Sequence, residues 1–494
     1  MRDTAEYRAE EKNDFTVGDM RGSILRIAVP MIMAQLVNVL YNIVDRVYLG
    51  HMEGDGRLAL TGVGGAFPLI TILNAFANLC GSGGAPLCSI ERGRGNLKKA
   101  EETMGNSLVL LLLLGVVLTA AGYLFKTPLL YLFGASDQTI AYADGYLQIY
   151  LAGNIFVMLG LGMNPFIQSQ GFAKTGMLTV VIGALLNLIL DPVFIYGFGW
   201  GVEGAALATI LSQMVSAVWV LAFLCGKKAI LKLRLSALRP RTELMKQILF
   251  LGLSGFTQSV TNSLVQIFCN ASLQFYGGDL YVGAMTVIYS IREVVQMPLQ
   301  GFTQGAQPVL GYNYGAKRYG RVREGIRFVT FVSLAFASFA WLILMLFPGQ
   351  LIRLFNGEEE LLEVGILSLR IHFVLFVFMA FQYAGQNIFV SLGKAKQAVF
   401  FSLFRKVILG VPLILLLPHL WNLGIYGVLA AEPVTNIIGG LACYLTMLYL
   451  VGRELKAGER TQKGCQFVPF HRRGVNGSAL RIIFFIYVKE ALPQ

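Results

Sequence analysis

Two acids, Asp45 and Asp191, sit inside stretches that are otherwise apolar, PMIMAQLVNVLYNIVDRVYLG (30–50) and LNLILDPVFIYGFGWGVEGAALAT (186–209). A charged side chain at the middle of a membrane helix costs about 2.5–3.5 kcal/mol on insertion scales, so it faces an interior or water. Gln35, Asn38, Asn42 and Asp45 recur at steps of three and four, which lines them along one helical face. Asn187 stands one turn before Asp191, and Pro192 follows the acid. Proline lacks a backbone N–H and clashes with a preceding carbonyl, so a kink and a freed carbonyl oxygen are expected there. Carboxylates, amides and a free carbonyl together make an oxygen-rich spot suited to a proton or to Na+ held at Asp45 and Asp191. A carboxyl group protonated with one gate open and deprotonated with the other open is what ion coupling requires. The plainer reading is structural: amides joining helices by hydrogen bonds, and Asp191 as a cap or a buried pair.

The second half of the chain carries different chemistry. Gln258, Asn262, Gln266 and Asn270 recur at steps of four, an uncharged polar stripe that either contacts a substrate or packs. Arg292 and Glu293 fall together in YSIREVVQMPLQG, and adjacent residues on a helix face different directions. Glu293 is a candidate contact for a cationic substrate, and Glu432, beside Pro433, a weaker one. The four His residues are scattered and the six Cys lack C-x-x-C spacing, so neither a metal cluster nor a disulfide framework is expected. GSGGA (81–85) is followed by no Lys-Ser/Thr and lies in an apolar run, so it is not a nucleotide loop. With no ATP-binding segment and no other cofactor indicated, an ion gradient is the expected energy source.

These residues must be positioned by membrane helices. The chain has 494 residues, 55% hydrophobic and 14% charged, where a soluble protein carries about 25% charged residues. Twelve apolar segments are long enough to span: 23–49, 58–89, 103–125, 139–168, 175–198, 202–225, 245–276, 280–310, 325–348, 361–389, 397–418 and 424–451. Their connections alternate in charge. One set holds Arg92, Arg94, Lys98, Lys99, Lys174, the run KKAILKLRLSALRPRTELMK, Lys317, Arg318 and Lys394; the other holds Asp137, Asp279 and Glu358–Glu360. Positive loops stay in the cytoplasm, so both termini are expected there. The net charge of +12 is thus topological rather than a nucleic-acid surface.

The sequence also repeats. Gly83, Pro86 and Gly93 of GGAPLCSIERG align with Gly305, Pro308 and Gly315 of GAQPVLGYNYG at an offset of 222, and SQGFAK (169–174) aligns with SLGKAK (391–396). Six spans separate the copies, so they run in the same orientation and form parallel repeats about a central cleft. The expected architecture is all-α and polytopic, with two six-helix lobes. Its parts are a cytoplasmic segment (1–22), an N-lobe (23–225), a basic linker (226–244), a C-lobe (245–451) and a tail (452–494). The tail holds SALRIIFFIYVKE, too short to span and suited to an interfacial helix. At the repeat offset Ile267 stands opposite Asp45 and Leu413 opposite Asp191, so the acid chemistry is one-sided.

PMIMAQLVNVLYNIVDRVYLG, NLILDPVFIYGFGWGVEGAALAT and MPLQGFTQGAQPVLGYNYGAKRY carry a resemblance to the bacterial multidrug and toxic compound extrusion (MATE) transporters. The likeness is to the branch of the DNA-damage-inducible and Firmicute multidrug exporters and covers residues 20–450. It implies two lobes forming a V-shaped cleft, in the bacterial cytoplasmic membrane, that exchange cytosolic organic cations for inward H+ or Na+. It also implies that Asp45 and Asp191 match the family's first-span and fifth-span acids, with Asn187 the polar neighbour of the latter. Further acids that some members use in the seventh and tenth spans have no counterpart here, and Arg46 stands where a small polar residue is usual. Expected partners are small organic, cationic substrates and the lipid bilayer, with a monomer as the working unit. A flippase of lipid-linked saccharides is the alternative; it would call for more cations in the central cleft, where Arg292, Arg370 and Arg405 are the candidates.

Overall fold

The computed structural model describes residues 13–50, 56–133, 135–355 and 358–466. Long apolar segments in hydrocarbon must satisfy every backbone group within the segment, and the described chain is accordingly helical. In the first half the helices are α1 (Met20–Gly50), α2 (Gly56–Gly93), α3 (Leu97–Leu132), α4 (Ile140–Ser169), α5 (Ala173–Pro192) and α6 (Gly201–Cys225). The second half begins with α7 (Thr242–Gly315), 74 residues long. At about 1.5 Å per residue it is far too long for one crossing, and it breaks at Gly278 (φ 67°, ψ −166°), a backbone state that favours glycine. Its two legs are therefore separate spans, as the sequence divides them. Then follow α8 (Tyr319–Leu346), the short α9 (Pro348–Arg353), α10 (Glu359–Phe373), α11 (Met379–Ser391), α12 (Ala395–Leu403), α13 (Val411–Leu416) and α14 (Ile425–Gln466). The α10–α11 pair forms one span bent by 42°, and a wide π turn, Phe404–Gly410, joins α12 to α13. Taken so, the architecture has twelve spans.

The basic linker after α6 is docked onto the N-lobe: Leu231 N donates to Gln170 Oε1 (2.8 Å), Arg241 N to Asn106 Oδ1 (2.7 Å), and Arg241 pairs with Glu102 (2.8 Å). Ala229, Ile230 and Leu231 beneath it are buried. The last helix also runs past residue 451, to Gln466, because the polar residues there continue the helical register without a breaker. SALRIIFFIYVKE lies outside the described residues.

The lobes are held together at the end that carries the basic loops. α1 straddles them: its first half, from Met20 to Met31, is buried in one core with Phe302, Val309 and Ile326 of the second half, while Leu49 belongs to a core of α2, α4 and α6 residues. A segment before α1 closes the same end. Phe15 is fully buried against Tyr312 (ring centroids 5.6 Å). Arg92 donates to Asn13 O and lies 4.8 Å over the Tyr312 ring, while Asn313 and Arg321 donate to Phe15 O at 2.9 and 3.0 Å. Residues 13–19 thus clasp both lobes through backbone carbonyls.

The tightest contact is between α2 and α7, where a Cβ on Gly252 would meet Leu79 O at 1.8 Å. Overpacking of this kind costs about 1–3 kcal/mol. Gly252→Ala is therefore expected to open this end, raising the reactivity of a cysteine placed at Gln307 toward a reagent added from the basic-loop side by about tenfold. Unchanged reactivity in folded protein would show that the seam does not close that end.

Candidate functional site

Two cavities lie above this seam. One, of about 250 Å³, belongs to the N-lobe and is lined by Gln35, Asn38 and Tyr41 of α1, Asn187 of α5, and Thr209 and Gln213 of α6. The other, of about 400 Å³, lies between the lobes, lined by Gln35, Gln258, Asn262, Gln300, Gln304 and Gln307 among others. Gln35 and Gln304 border both, so the two are continuous along α1 and the second leg of α7. Among the described residues, neither is lined by an Asp, Glu, Lys, Arg or His. The walls are amides, hydroxyls and apolar surface, which suit an organic molecule without dictating its shape.

The acids stand behind the N-lobe cavity. Asp191 is fully buried and Asp45 is 5% exposed. Asn187 connects them to the cavity: it lines the wall, and its Nδ2 donates to Asp191 Oδ1 (3.0 Å) and to Thr209 Oγ1 (3.4 Å). The second oxygen, Asp191 Oδ2, is enclosed and receives no N–H or O–H from the described residues. Asp45 is the neighbouring acid whose charge acts on Asp191. Two neighbouring carboxylates in a buried place repel each other. One proton between them, or one small cation, satisfies the pair. Tyr41 and Tyr146 are near enough to sense the Asp45 charge, and Asp191 has no cationic partner among the described residues.

The structure brings Gln35, Asn38, Asn187, Asp45 and Asp191 together as the sequence spacing suggests. The side chains of Asn42 and Arg46 lie outside the described residues. Pro192 does not simply kink the helix: α5 passes into a π turn, Val193–Gly197, whose wider winding accommodates the missing N–H. The polar stripe of the seventh span divides. Gln258 and Asn262 reach the central cavity, whereas Gln266 lines a separate small one with Arg292, His372 and Glu432. Steps of four overshoot the helical turn by about 40° each, so the stripe drifts around the helix. Glu293 is exposed and lines none of the three cavities, while its neighbour Arg292 turns inward toward Glu432 (3.7 Å).

Sequence reasoning missed two groups. Gln300, Gln304 and Gln307 had the signal, since steps of four and three put them on one face of the helix that ends in the repeat motif. Lys406 was passed over beside Arg405, yet both side chains reach Glu432, at 3.1 and 3.3 Å. Glu432 is thereby neutralised and offers no net negative charge to a cationic ligand.

Comparison with known proteins agrees with this architecture. The family model described as MatE matches the chain twice, at residues 30–193 and 255–416. The multidrug export protein MepA of Staphylococcus saprophyticus is 22% identical over 447 residues, spanning 90% of this chain and 97% of its own. MepA of Staphylococcus aureus strain MSSA476 is 22% identical over 426 residues, with 86% and 93% covered. Among solved structures, an outward-facing multidrug resistance MATE family transporter of the MOP superfamily superposes with a TM-score of 0.83 at 25% identity, covering 91% of this chain and 98% of its own. A MOP superfamily transporter from Pyrococcus furiosus, described as having a binding pocket of reversed polarity that suggests a different function, gives 0.84 at 25% identity, with 92% and 99% covered. The two matches to the family model fall one in each lobe and together take in most of the chain, which therefore belongs to the MATE family of membrane transporters.

Proposed function

We propose that this transporter exports small organic cations from the cytoplasm in exchange for inward H+ or Na+, by alternating access, with the Asp45–Asp191 pair as the coupling site. One observation carries this reading: Asn187 forms part of the cavity wall and also holds Asp191 by a hydrogen bond. A proton or cation arriving at the pair removes its demand on Asn187, and the cavity wall changes with it. Substrate and ion then act on one element whose two arrangements each favours differently, which is the requirement for coupling. For Na+, the carboxylates, the Asn187 carbonyl oxygen and Thr209 Oγ1 are the oxygens at hand; for H+, the carboxyl pair alone suffices.

The positive charge of the loops at the closed end supports a reading in which that end and both termini face the cytoplasm and the cleft faces outward, in a bacterial cytoplasmic membrane. Both lobes belong to one chain, so a monomer completes the cleft. The names of the MepA relatives support drugs as cargo. Flipping of lipid-linked saccharides draws no support from the described wall of the central cavity, in which no Lys or Arg appears.

The test uses purified protein in liposomes with a fluorescent organic cation, under an imposed pH gradient or Na+ gradient. Asp191→Asn is expected to abolish uphill movement under the productive gradient while substrate still equilibrates, and Asp45→Asn to do the same. An Asp191→Asn protein that still concentrates dye would sink the coupling assignment. Thr209→Val removes one of the two acceptors of Asn187, so gradient-driven transport is expected to slow roughly three- to tenfold with substrate affinity little changed. A change in affinity alone would assign Thr209 to substrate contact instead.

A further inference from the structure

The C-lobe contains a buried cluster of charge that the exchange reaction does not use. Arg405 and Lys406 lie on the π turn after α12, with side chains only 4% exposed, and Arg292 and Glu432 are buried nearly as well. Lys406 Nζ reaches both Glu432 oxygens, at 3.1 and 3.3 Å, and Arg405 Nη1 reaches Glu432 Oε1 (3.3 Å) and Asn436 Oδ1 (2.9 Å). The charged groups acting on Lys406 are Arg405, Glu432 and Arg292. Three basic side chains therefore gather around one carboxylate, so basic groups outnumber acidic ones at membrane depth. Buried charge left without a counter-charge is strongly disfavoured.

Two polar groups of the cluster have no hydrogen-bond partner among the described residues. Arg292 stands 3.7 Å from Glu432, beyond hydrogen-bond length, and covers the Tyr289 ring at 5.0 Å. Its N–H groups meet no hydrogen-bond acceptor among the described residues. His372 is 4% exposed, and its Nε2 is enclosed without a partner. Arg292 and His372 line the same small cavity, together with Asn262, Gln266, Tyr289 and Glu432. The cavity offers about 10 Å³, room for roughly one water-sized sphere. Asn262 also borders the central cavity, which puts the small one next to the cleft.

Unpartnered polar groups, a surplus of basic side chains and space for one small sphere define what is missing. We propose that this cavity binds a single small monovalent anion of the halide class, chloride foremost, held by Arg292 and His372 with amide help from Gln266 and Asn262. Chloride is somewhat larger than a water-sized sphere, so its entry needs the flexible Arg292 and Gln266 side chains to give; polyatomic anions such as phosphate exceed the space by far more. The anion would pin both legs of α7 to α10 and α14 and balance the charge that Glu432 leaves over. A water molecule would accept the same hydrogen bonds but would leave the charge unbalanced, so the two occupants are separable by experiment.

The experiment needs no transport, so its outcome is independent of the exchange reading. Purified full-length protein in detergent is titrated with chloride against gluconate at fixed pH and ionic strength, following thermal unfolding and retention of radiolabelled chloride. The unmodified protein is expected to bind about one chloride per chain saturably and to unfold at higher temperature in chloride. Arg292→Met and His372→Phe are each expected to weaken binding by about tenfold or more. Lys406→Met, which leaves the cavity wall intact, is expected to weaken it through the lost charge. Should any variant fail to fold, the unmodified protein decides alone. Absence of saturable chloride binding there, or equal binding in Arg292→Met and His372→Phe, overturns the proposal.

Discussion

Charge inside hydrocarbon must be shared, and the rest of this molecule is arranged around that constraint. The N-lobe buries two acids against each other with one amide donor between them and the cavity. The C-lobe buries three basic side chains around one acid. The buried charge of one lobe is acidic, and that of the other is mostly basic. The two repeats keep a common helix plan while holding opposite chemistry, because packing of apolar faces sets the plan and a handful of buried polar side chains sets the charge.

The central space is left neutral. Substrate-sized volume is walled by amides and hydroxyls, with the ionisable groups set one layer back. A neutral, amide-rich wall suits many organic shapes, and under the proposed exchange it would change with the arrival of an ion at the acids behind it. Separation of the two tasks explains why the acids need not touch the substrate to govern it. Asn187, with one face on the cavity and one on Asp191, is the physical link.

Rearrangement of two lobes also needs a seam that can close and release. Here close backbone approach at Gly252, the straddling path of α1 and the clasp of residues 13–19 all lie at the basic end. The clasp is built from backbone carbonyls meeting Arg92, Asn313 and Arg321. Phe15, Asn13, Arg92 and Asn313 are all buried, so releasing the clasp requires these groups to find other partners.

Much of this was legible in the amino-acid order. Apolar runs gave the spans, loop charge gave the two ends, the 222-residue offset gave the lobes, and acids isolated in apolar runs singled out Asp45 and Asp191. Each of these signals is local or periodic, so it survives without knowledge of packing. What only the tertiary structure decided is who meets whom. Arg292, His372, Lys406 and Glu432 come from four different spans, and nothing in their spacing shows that they converge. The seventh-span stripe reads as one face, yet its 40° drift per step delivers Gln258 and Gln266 to different cavities. The basic linker is legible, but its docking on Glu102, Asn106 and Gln170 is not. Sequence carries the burial pattern of each helix, whereas the pairing of buried polar groups depends on helix rotation and neighbour choice, which only the packed whole determines.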